Sequence, residues 1–316
     1  MNDILNLVLP VFCLIGLGFL LVRTGYLPDA TGDSLAAFVF KVAVPILLFQ
    51  SIATASFQQT SPWIFLIVYF SAIAISWLLA MVLISKIFGR GWRASVIGGV
   101  SASFSNLVLL GIPLVERIFG QDGLQVLFFL IAFHLPVMMT AATLQLEFAS
   151  RVDGVEDGAI QYRVMFGKLA HNFITNPIIV GILAGIIWRV TGLPIPGLAN
   201  EVMGLVAKTT GPLALICVGM GLIKYGIKGN LAPAIGLSLL ALVVMPGVAY
   251  LLGAYVFDLP KLWLQVAVLC AAAPTGVNAY LFAVHFQIAK GLATNTIVIA
   301  LLGSVITVPL WLALIV

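Results

Sequence analysis

The sequence has very few charged residues. Only 8% of its 316 residues are Asp, Glu, Lys or Arg, whereas 62% are hydrophobic, and the mean hydropathy is +1.18. A soluble protein of this size needs many more charged side chains to cover its surface. Segments with strictly alternating polar and apolar residues, typical of membrane β-barrels, are also absent. The composition therefore predicts an all-α polytopic membrane protein.

Other absences exclude several classes of function. The three cysteines, Cys13, Cys217 and Cys270, have no CxxC spacing, which argues against a redox or structural metal site. We find no phosphate-binding glycine loop followed by lysine, no cluster of metal ligands and no Ser/His/Asp set. The net charge is +4, but the basic residues are scattered rather than gathered on one face. We therefore predict no enzyme activity, no cofactor, no metal and no nucleic-acid partner.

Apolar stretches of about 20 residues, the length that spans a bilayer, recur along the whole chain. The N-terminus has neither a basic region nor a small-residue cleavage site, so it is predicted to be the first span. The longest polar stretch, Ser150–Lys168, divides the chain into residues 1–149, a linker at 150–167 and residues 168–316, with five spans on each side. The ten predicted spans are 4–22, 34–55, 62–86, 94–115, 123–147, 168–189, 199–223, 231–256, 262–285 and 292–315.

Lysine and arginine are distributed unequally between the predicted loops. One set of alternate loops contains ten of them and the other set contains three. Cytoplasmic loops of membrane proteins are enriched in Lys and Arg. The distribution therefore places the ten-residue side in the cytoplasm and both termini outside.

The two halves share a pattern at a constant offset of 167 residues. Pro10 corresponds to Pro177, and the pair Lys41 and Pro45 corresponds to Lys208 and Pro212. Because each half has five spans, an odd number, the second half enters the membrane from the opposite side. We therefore predict two inverted five-helix repeats, an architecture found in many secondary transporters.

Two predicted spans carry residues that break helices. SASFSNLVLLGIPL (Ser101–Leu114) contains Asn106, and AAAPTGVNAYLFA (Ala271–Ala283) occupies the equivalent ninth span. A shift of about two residues in the repeat register aligns them. Broken helices expose half-helix N-termini, which attract carboxylates. A kinked helix whose polar groups bond to neighbouring helices is the alternative. The candidate binding residues are Ser105, Asn106, Pro274, Thr275, Gly276 and Asn278.

Four further polar residues lie within predicted spans. Asn176 precedes Pro177 and is interpreted either as a site residue or as a helix cap. Lys41 and Lys208 either extend to the membrane surface or flank an anion pathway. His134 is the best titratable candidate for ion coupling, with helix packing as its alternative. The span interiors contain almost no Asp or Glu, which favours an anionic over a cationic substrate.

The residues SNLVLLGIPL, AAAPTGVNAYLFA, Asn176-Pro177 and VPILLF (Val44–Phe49) resemble those of the auxin efflux carrier family, including its bacterial members known as malate or malonate permeases. The resemblance covers the whole chain. It differs from plant members at Ser105 and Ala279, where they have proline. The long cytoplasmic loop of plant members is replaced by Ser150–Lys168.

The resemblance implies the crossover fold of bile-acid symporters and related exchangers. Spans 1, 2, 6 and 7 would form a scaffold that dimerises, and spans 3–5 and 8–10 a mobile transport domain that carries crossing helices 4 and 9. In plant members, asparagines that match Asn106 and Asn176 contact the substrate carboxylate. A homodimer in the bacterial cytoplasmic membrane is the expected form.

The sequence thus predicts a secondary transporter of small organic anions that works by elevator-type alternating access. A Na⁺-coupled symporter of the bile-acid type is one alternative. A membrane sensor that binds without transporting is another. An intramembrane enzyme would need paired catalytic groups at one depth, and His134 with nearby serines is a poor match.

Overall fold

A computed structural model describes residues 2–54, 62–155, 167, 175–225, 229 and 231–316. Most of the predicted linker at 150–167 and the first residues of the predicted sixth span lie outside this part of the chain. The described residues form helices and contain no β-strand apart from one isolated bridge. This confirms the prediction of an all-α protein.

Eleven helical segments account for nearly all of the described residues, and several contain a single π-helical turn. They are α1 (Asn2–Arg23), α2 (Asp29–Thr54), α3 (Pro62–Ile87), α4 (Trp92–Ser103), α5 (Leu107–Val152), α6 (Pro177–Thr191), α7 (Gly197–Tyr225), α8 (Ala232–Val256), α9 (Lys261–Ala271), α10 (Asn278–His285) and α11 (Lys290–Ile315).

Seven of these segments are long and apolar enough to cross a membrane: α1, α2, α3, α5, α7, α8 and α11. Three of the ten predicted spans are not among these seven. The predicted fourth and ninth spans are interrupted, so α4, α9 and α10 are short, and of the predicted sixth span only α6 and the two residues before it are described. α5 contains a kink at Gly120, whose φ of 62° and ψ of −150° are not helical, so one segment covers two predicted stretches. The protein is a multi-pass membrane protein.

Glycines bring α1 and α7 into backbone contact. A Cβ atom at Gly18 would lie 2.1 Å from the carbonyl oxygen of Ile216, and one at Gly219 would lie 1.9 Å from that of Ile15. These separations are far shorter than any van der Waals contact. The two helices can therefore pack this closely only because both positions lack a side chain.

The small-residue pattern of α6 makes a similar contact with α2. A Cβ atom at Gly181 would lie 2.6 Å from the carbonyl oxygen of Pro45, and one at Gly185 would lie 2.9 Å from that of Phe49. The GILAG motif (Gly181–Gly185), a pattern of small residues that permits close helix contact, therefore packs within the chain. Helices α1, α2, α6 and α7 form a closely packed group, which we call the scaffold.

The interrupted helices lie in the protein interior. Every residue of α4 from Ala94 to Ser103 is buried, as are those of α9 from Gln265 to Ala271. Lipid offers no hydrogen bonds to a broken backbone, and each unpaired polar group there costs several kcal/mol. Burial within protein is what allows these two helices to end in the middle of the bundle.

Candidate functional site

The two interruptions pair with each other through their main chains. The amide N of Asn106 donates to the carbonyl of Pro274 at 2.8 Å, and the amide N of Gly276 donates to the carbonyl of Phe104 at 2.8 Å. Ser105 and Thr275 form an isolated antiparallel bridge between these bonds. The break after α4 and the break after α9 thus satisfy one another's backbone groups. We call this short pairing the crossing.

Side chains at the crossing suit this close approach. The Thr275 hydroxyl donates to the carbonyl of Ser101 at 2.6 Å and so satisfies a free carbonyl near the end of α4. Pro274 has no N–H that would need a partner. A Cβ atom at Gly276 would lie 3.2 Å from the carbonyl oxygen of Phe104, so a larger residue would push the two paired segments apart.

Asn106 is the N-cap of the half-helix that begins at Leu107. Its Oδ1 accepts a hydrogen bond from the amide of Leu109 at 3.2 Å. Because that amide is a donor, the side-chain atom facing it is the oxygen, and the Nδ2 group points elsewhere. Nδ2 makes no hydrogen bond within the described part of the chain, and Asn106 is only partly buried.

A cavity of about 160 Å³ reaches the crossing from the end of the bundle where α2 begins and α7 ends. We call it the central cavity. Residues from α2, α7, α11 and the crossing form its walls: Gly32, Asp33, Ala36, Phe40, Asn106, Leu109, Cys217, Val218, Met220, Gly221, Leu222, Lys224, Pro274, Thr275, Val277, Ile297 and Leu301. Asp33 and Lys224 form an ion pair there.

The central cavity brings together three of the predicted binding residues, Asn106, Pro274 and Thr275. Ser105 is buried in the bridge beneath it, and Gly276 pairs with Phe104. Asn278 is the first residue of α10, on the far side of Val277. The structure thus groups all six crossing residues, but only three of them face this cavity.

Asn176 is the N-cap of α6. Its Oδ1 accepts from the amide of Ile178 at 2.9 Å, and it lines neither of the cavities described here. The cap interpretation is therefore the one seen in the structure. A contact between Asn176 and a substrate stays a prediction.

His134 lies behind the crossing, between two aromatic rings. Its ring centroid is 5.1 Å from that of Phe104 and 5.7 Å from that of Tyr69, and both rings meet it edge to face. The imidazole is buried, and neither nitrogen makes a hydrogen bond in the described part of the chain. His134 faces neither cavity, so a coupling role stays a prediction.

A second cavity, of about 500 Å³, opens at the other end of the bundle, where α2 ends and α7 begins. Eight of its eleven lining residues have an amide, a hydroxyl or a charged group, so we call it the polar cavity: Leu47, Gln50, Ser51, Thr54, Glu116, Gln121, Gln125, Asn200, Gly204, Ala207 and Lys208. Gln50 Nε2 donates to Asn200 Oδ1 at 2.6 Å. Lys208 lines this cavity, whereas its counterpart Lys41 is exposed and lines neither.

Sequence reasoning missed Glu116 and the polar cavity. The predicted fourth span ended at residue 115, which left Glu116 outside the membrane. In the structure the half-helix continues to the kink at Gly120, and Glu116 lies on it, half-buried. The signal was available, because a half-helix that starts at Leu107 needs more than nine residues to reach the end of the bundle.

Comparisons with known proteins give the chain a family. The sequence model of the family described as "Membrane transport protein" matches residues 3–312. An "Uncharacterized transporter" of Methanothermobacter thermautotrophicus is 28% identical over 96% of both chains. A "Putative malonate transporter" of Rhizobium meliloti is 25% identical over 98% of this chain and 94% of its own.

A plant relative extends this similarity. "Auxin efflux carrier component 8" of Arabidopsis thaliana is 23% identical over 98% of this chain and 96% of its own. The family match covers nearly the entire chain, and it agrees with the helical membrane architecture. The predicted resemblance is therefore confirmed: the chain belongs to the auxin efflux carrier family of membrane transport proteins.

Proposed function

We propose that this transporter moves small organic anions, carboxylates such as malate, malonate or auxin-like acids, by secondary active transport. The observation that carries the proposal is the free amide of Asn106 at the inner end of the central cavity. The description of one relative as a putative malonate transporter also favours a carboxylate substrate.

Asn106 is suited to bind a carboxylate because one of its two polar side-chain atoms already has a partner and the other does not, within the described part of the chain. Oδ1 is held by the amide of Leu109, so the hydrogens of Nδ2 remain to donate to a ligand. The residue also stands at the N-terminal end of a half-helix, where the helix dipole is positive. Donor and dipole together favour a negative group at this position.

The charges of the central cavity do not oppose an anion. Its described wall contains one carboxylate, Asp33, and that group is paired with Lys224. The remaining wall is apolar or carries neutral amide and hydroxyl groups. An anion that enters from this end therefore meets no uncompensated negative charge.

We propose an elevator-type mechanism on a crossover fold of ten spans in two inverted repeats. The close packing of α1 on α7 and of α6 on α2 supports a rigid scaffold. Both cavities lie between scaffold helices α2 and α7 and the helices that carry the crossing. Spans 3–5 and 8–10 would then move past the scaffold and open one cavity at a time.

The proposed setting is the bacterial cytoplasmic membrane, with both termini outside. The excess of Lys and Arg in one set of loops supports this orientation. It places the central cavity on the cytoplasmic side and the polar cavity on the outer side.

The proposed homodimer would use the apolar outer face of α6, where Val180, Leu183 and Ile187 are exposed.

Uptake into proteoliposomes tests this proposal. Asn106→Asp keeps the size of the side chain and the bond to Leu109 but replaces the donor with a negative charge. We expect at least a tenfold loss of malate or malonate uptake, which corresponds to about 1.4 kcal/mol. The matched control is Asn6→Asp, the same exchange at an exposed residue that lines neither cavity, which should retain uptake.

Two outcomes would contradict the proposal. Equal uptake by wild type and Asn106→Asp would remove Asn106 from the site. Uptake that depends steeply on a Na⁺ gradient would favour a symporter of the bile-acid type. Counterflow of a bound acid would separate a transporter from a sensor, because a sensor binds its ligand without exchanging it across the membrane.

A further inference from the structure

The polar cavity contains two opposite charges that do not pair with each other. Glu116 and Lys208 both line it, yet within the described ranges neither makes an ion pair or a hydrogen bond. Glu116 lies close to α7 near Lys208: a Cβ atom at Gly211, three residues after Lys208, would lie 3.9 Å from Glu116 Oε2. A carboxylate and an ammonium group are therefore both available to a ligand.

Opposite charges that line one cavity attract each other. The central cavity shows the usual result, since Asp33 and Lys224 are paired there. In the polar cavity the neutral groups pair instead, Gln50 with Asn200. At the offset of 167 residues Asn200 corresponds to Asp33, whereas Gln50 corresponds to Cys217 and not to Lys224, so only one member of each pair is related by the repeat.

The two charges have complementary chemistry. A carboxylate only accepts hydrogen bonds, and an ammonium only donates them. A ligand that satisfies both must therefore present a carboxylate to Lys208 and a donor to Glu116. A bare metal cation would be repelled by Lys208, and a plain carboxylate would leave Glu116 without a partner.

We propose that the polar cavity binds a small carboxylate with a hydroxyl or ammonium group on the neighbouring carbon, and that Glu116 selects for that group. This inference rests on the proposed function and narrows its substrate class. The cavity volume of about 500 Å³ lies within the range of small-molecule sites. Lys208 is exposed, so its ammonium is free to meet an incoming acid.

Three acids with the same carbon skeleton test the selection. Propionate, lactate and alanine differ only at carbon 2, which carries hydrogen, hydroxyl or ammonium. Isothermal titration of the full-length protein in detergent should show lactate and alanine binding at least tenfold tighter than propionate. Malate against succinate repeats the comparison for dicarboxylates.

Variants then assign the roles. Glu116→Gln should reduce the preference for alanine over propionate to threefold or less, while Glu116→Asp should retain part of it. Lys208→Gln should weaken binding of all three acids about tenfold. Lys41→Gln, at the corresponding position outside both cavities, should change affinity by less than twofold. The melting temperature of each unliganded variant shows whether it is folded.

Several results would overturn the inference. Equal affinity for propionate, lactate and alanine in the wild type would do so, as would an unchanged preference in folded Glu116→Gln. An equal loss of affinity in Lys41→Gln and Lys208→Gln would show that the net charge of the protein, rather than a contact with Lys208, affects binding. If plain carboxylates alone bind and Asn106→Asp abolishes that binding, the inference fails while the proposed function stands. If no acid binds at all, both fail.

Discussion

The central and polar cavities are built from the same two scaffold helices but differ in character. In the central cavity the charges, Asp33 and Lys224, neutralise each other and the remaining wall is largely apolar. In the polar cavity Glu116 and Lys208 have no ion-pair or hydrogen-bond partner in the described part of the chain, although amides and hydroxyls also line the wall. The two ends of one pair of helices can therefore carry cavities of different chemistry, because different side chains line each end.

The largest expected effect concerns the packing of α1 against α7, the helix that contributes to the walls of both cavities. Gly18→Ala would place a methyl group about 2.1 Å from the carbonyl of Ile216, which forces α1 away from α7. We expect a loss of about 3 kcal/mol of stability, at the upper end for overpacking. The loss should appear as a large drop in melting temperature.

Gly16→Ala is the matched control on the same helix, because nothing lies within 4 Å of a Cβ atom there. It should be neutral or slightly stabilising, since alanine favours a helix over glycine by about 1 kcal/mol. If Gly16→Ala and Gly18→Ala have the same melting temperature, the close contact between α1 and α7 does not make the scaffold rigid.

A smaller effect is expected at His134, which lies outside both cavities. His134→Phe removes two buried ring nitrogens that have no hydrogen bond in the described chain, and an aromatic ring of similar shape remains. Relieving one such unpaired group is worth about 1–3 kcal/mol, so the melting temperature should rise. Proteoliposome uptake should be retained. Lost uptake in a stabilised variant would instead make His134 a coupling residue.

The smallest effect on stability and binding should come from substitutions that make the charges of the two cavities more alike. Asp33→Asn frees Lys224 and gives the central cavity an unpaired cation. Partly exposed ion pairs contribute about 0–1 kcal/mol, so stability should change little. Anion affinity, measured by titration, should rise a few-fold.

Asn200→Asp is the reciprocal change, because it places a carboxylate in the polar cavity beside Gln50. It should weaken anion binding a few-fold. If both substitutions shift anion affinity in the same direction, the charge difference between the cavities does not determine that affinity.

Much of the site was accessible from the sequence because helix breaks are local signals. Asn106, Pro274 and Gly276 marked both interruptions, and the repeat suggested that these meet. The main-chain bonds between Phe104 and Gly276 were not predictable, because a sequence pattern does not specify the register of two extended segments. The backbone there could have bonded to any neighbouring helix.

The polar cavity escaped sequence reasoning for a different reason. Hydropathy ends a span where a charge appears, so Glu116 was counted with the loop, although its half-helix continues to Gly120. Gln50 and Asn200 are 150 positions apart, and nothing local to either residue indicates their contact. Clefts between packed helices depend on three-dimensional neighbours that periodicity does not reveal.

The crossing also constrains how the protein is made. Its partners come from opposite halves of the chain, since Phe104 and Asn106 are synthesised long before Pro274 and Gly276. The same holds for the scaffold, where α1 packs on α7 and α2 on α6. Domains usually fold in the order of their synthesis, but here the first half of the chain emerges with its backbone break unsatisfied. These backbone groups gain their partners only after Pro274 and Gly276 have been synthesised, close to the end of the chain.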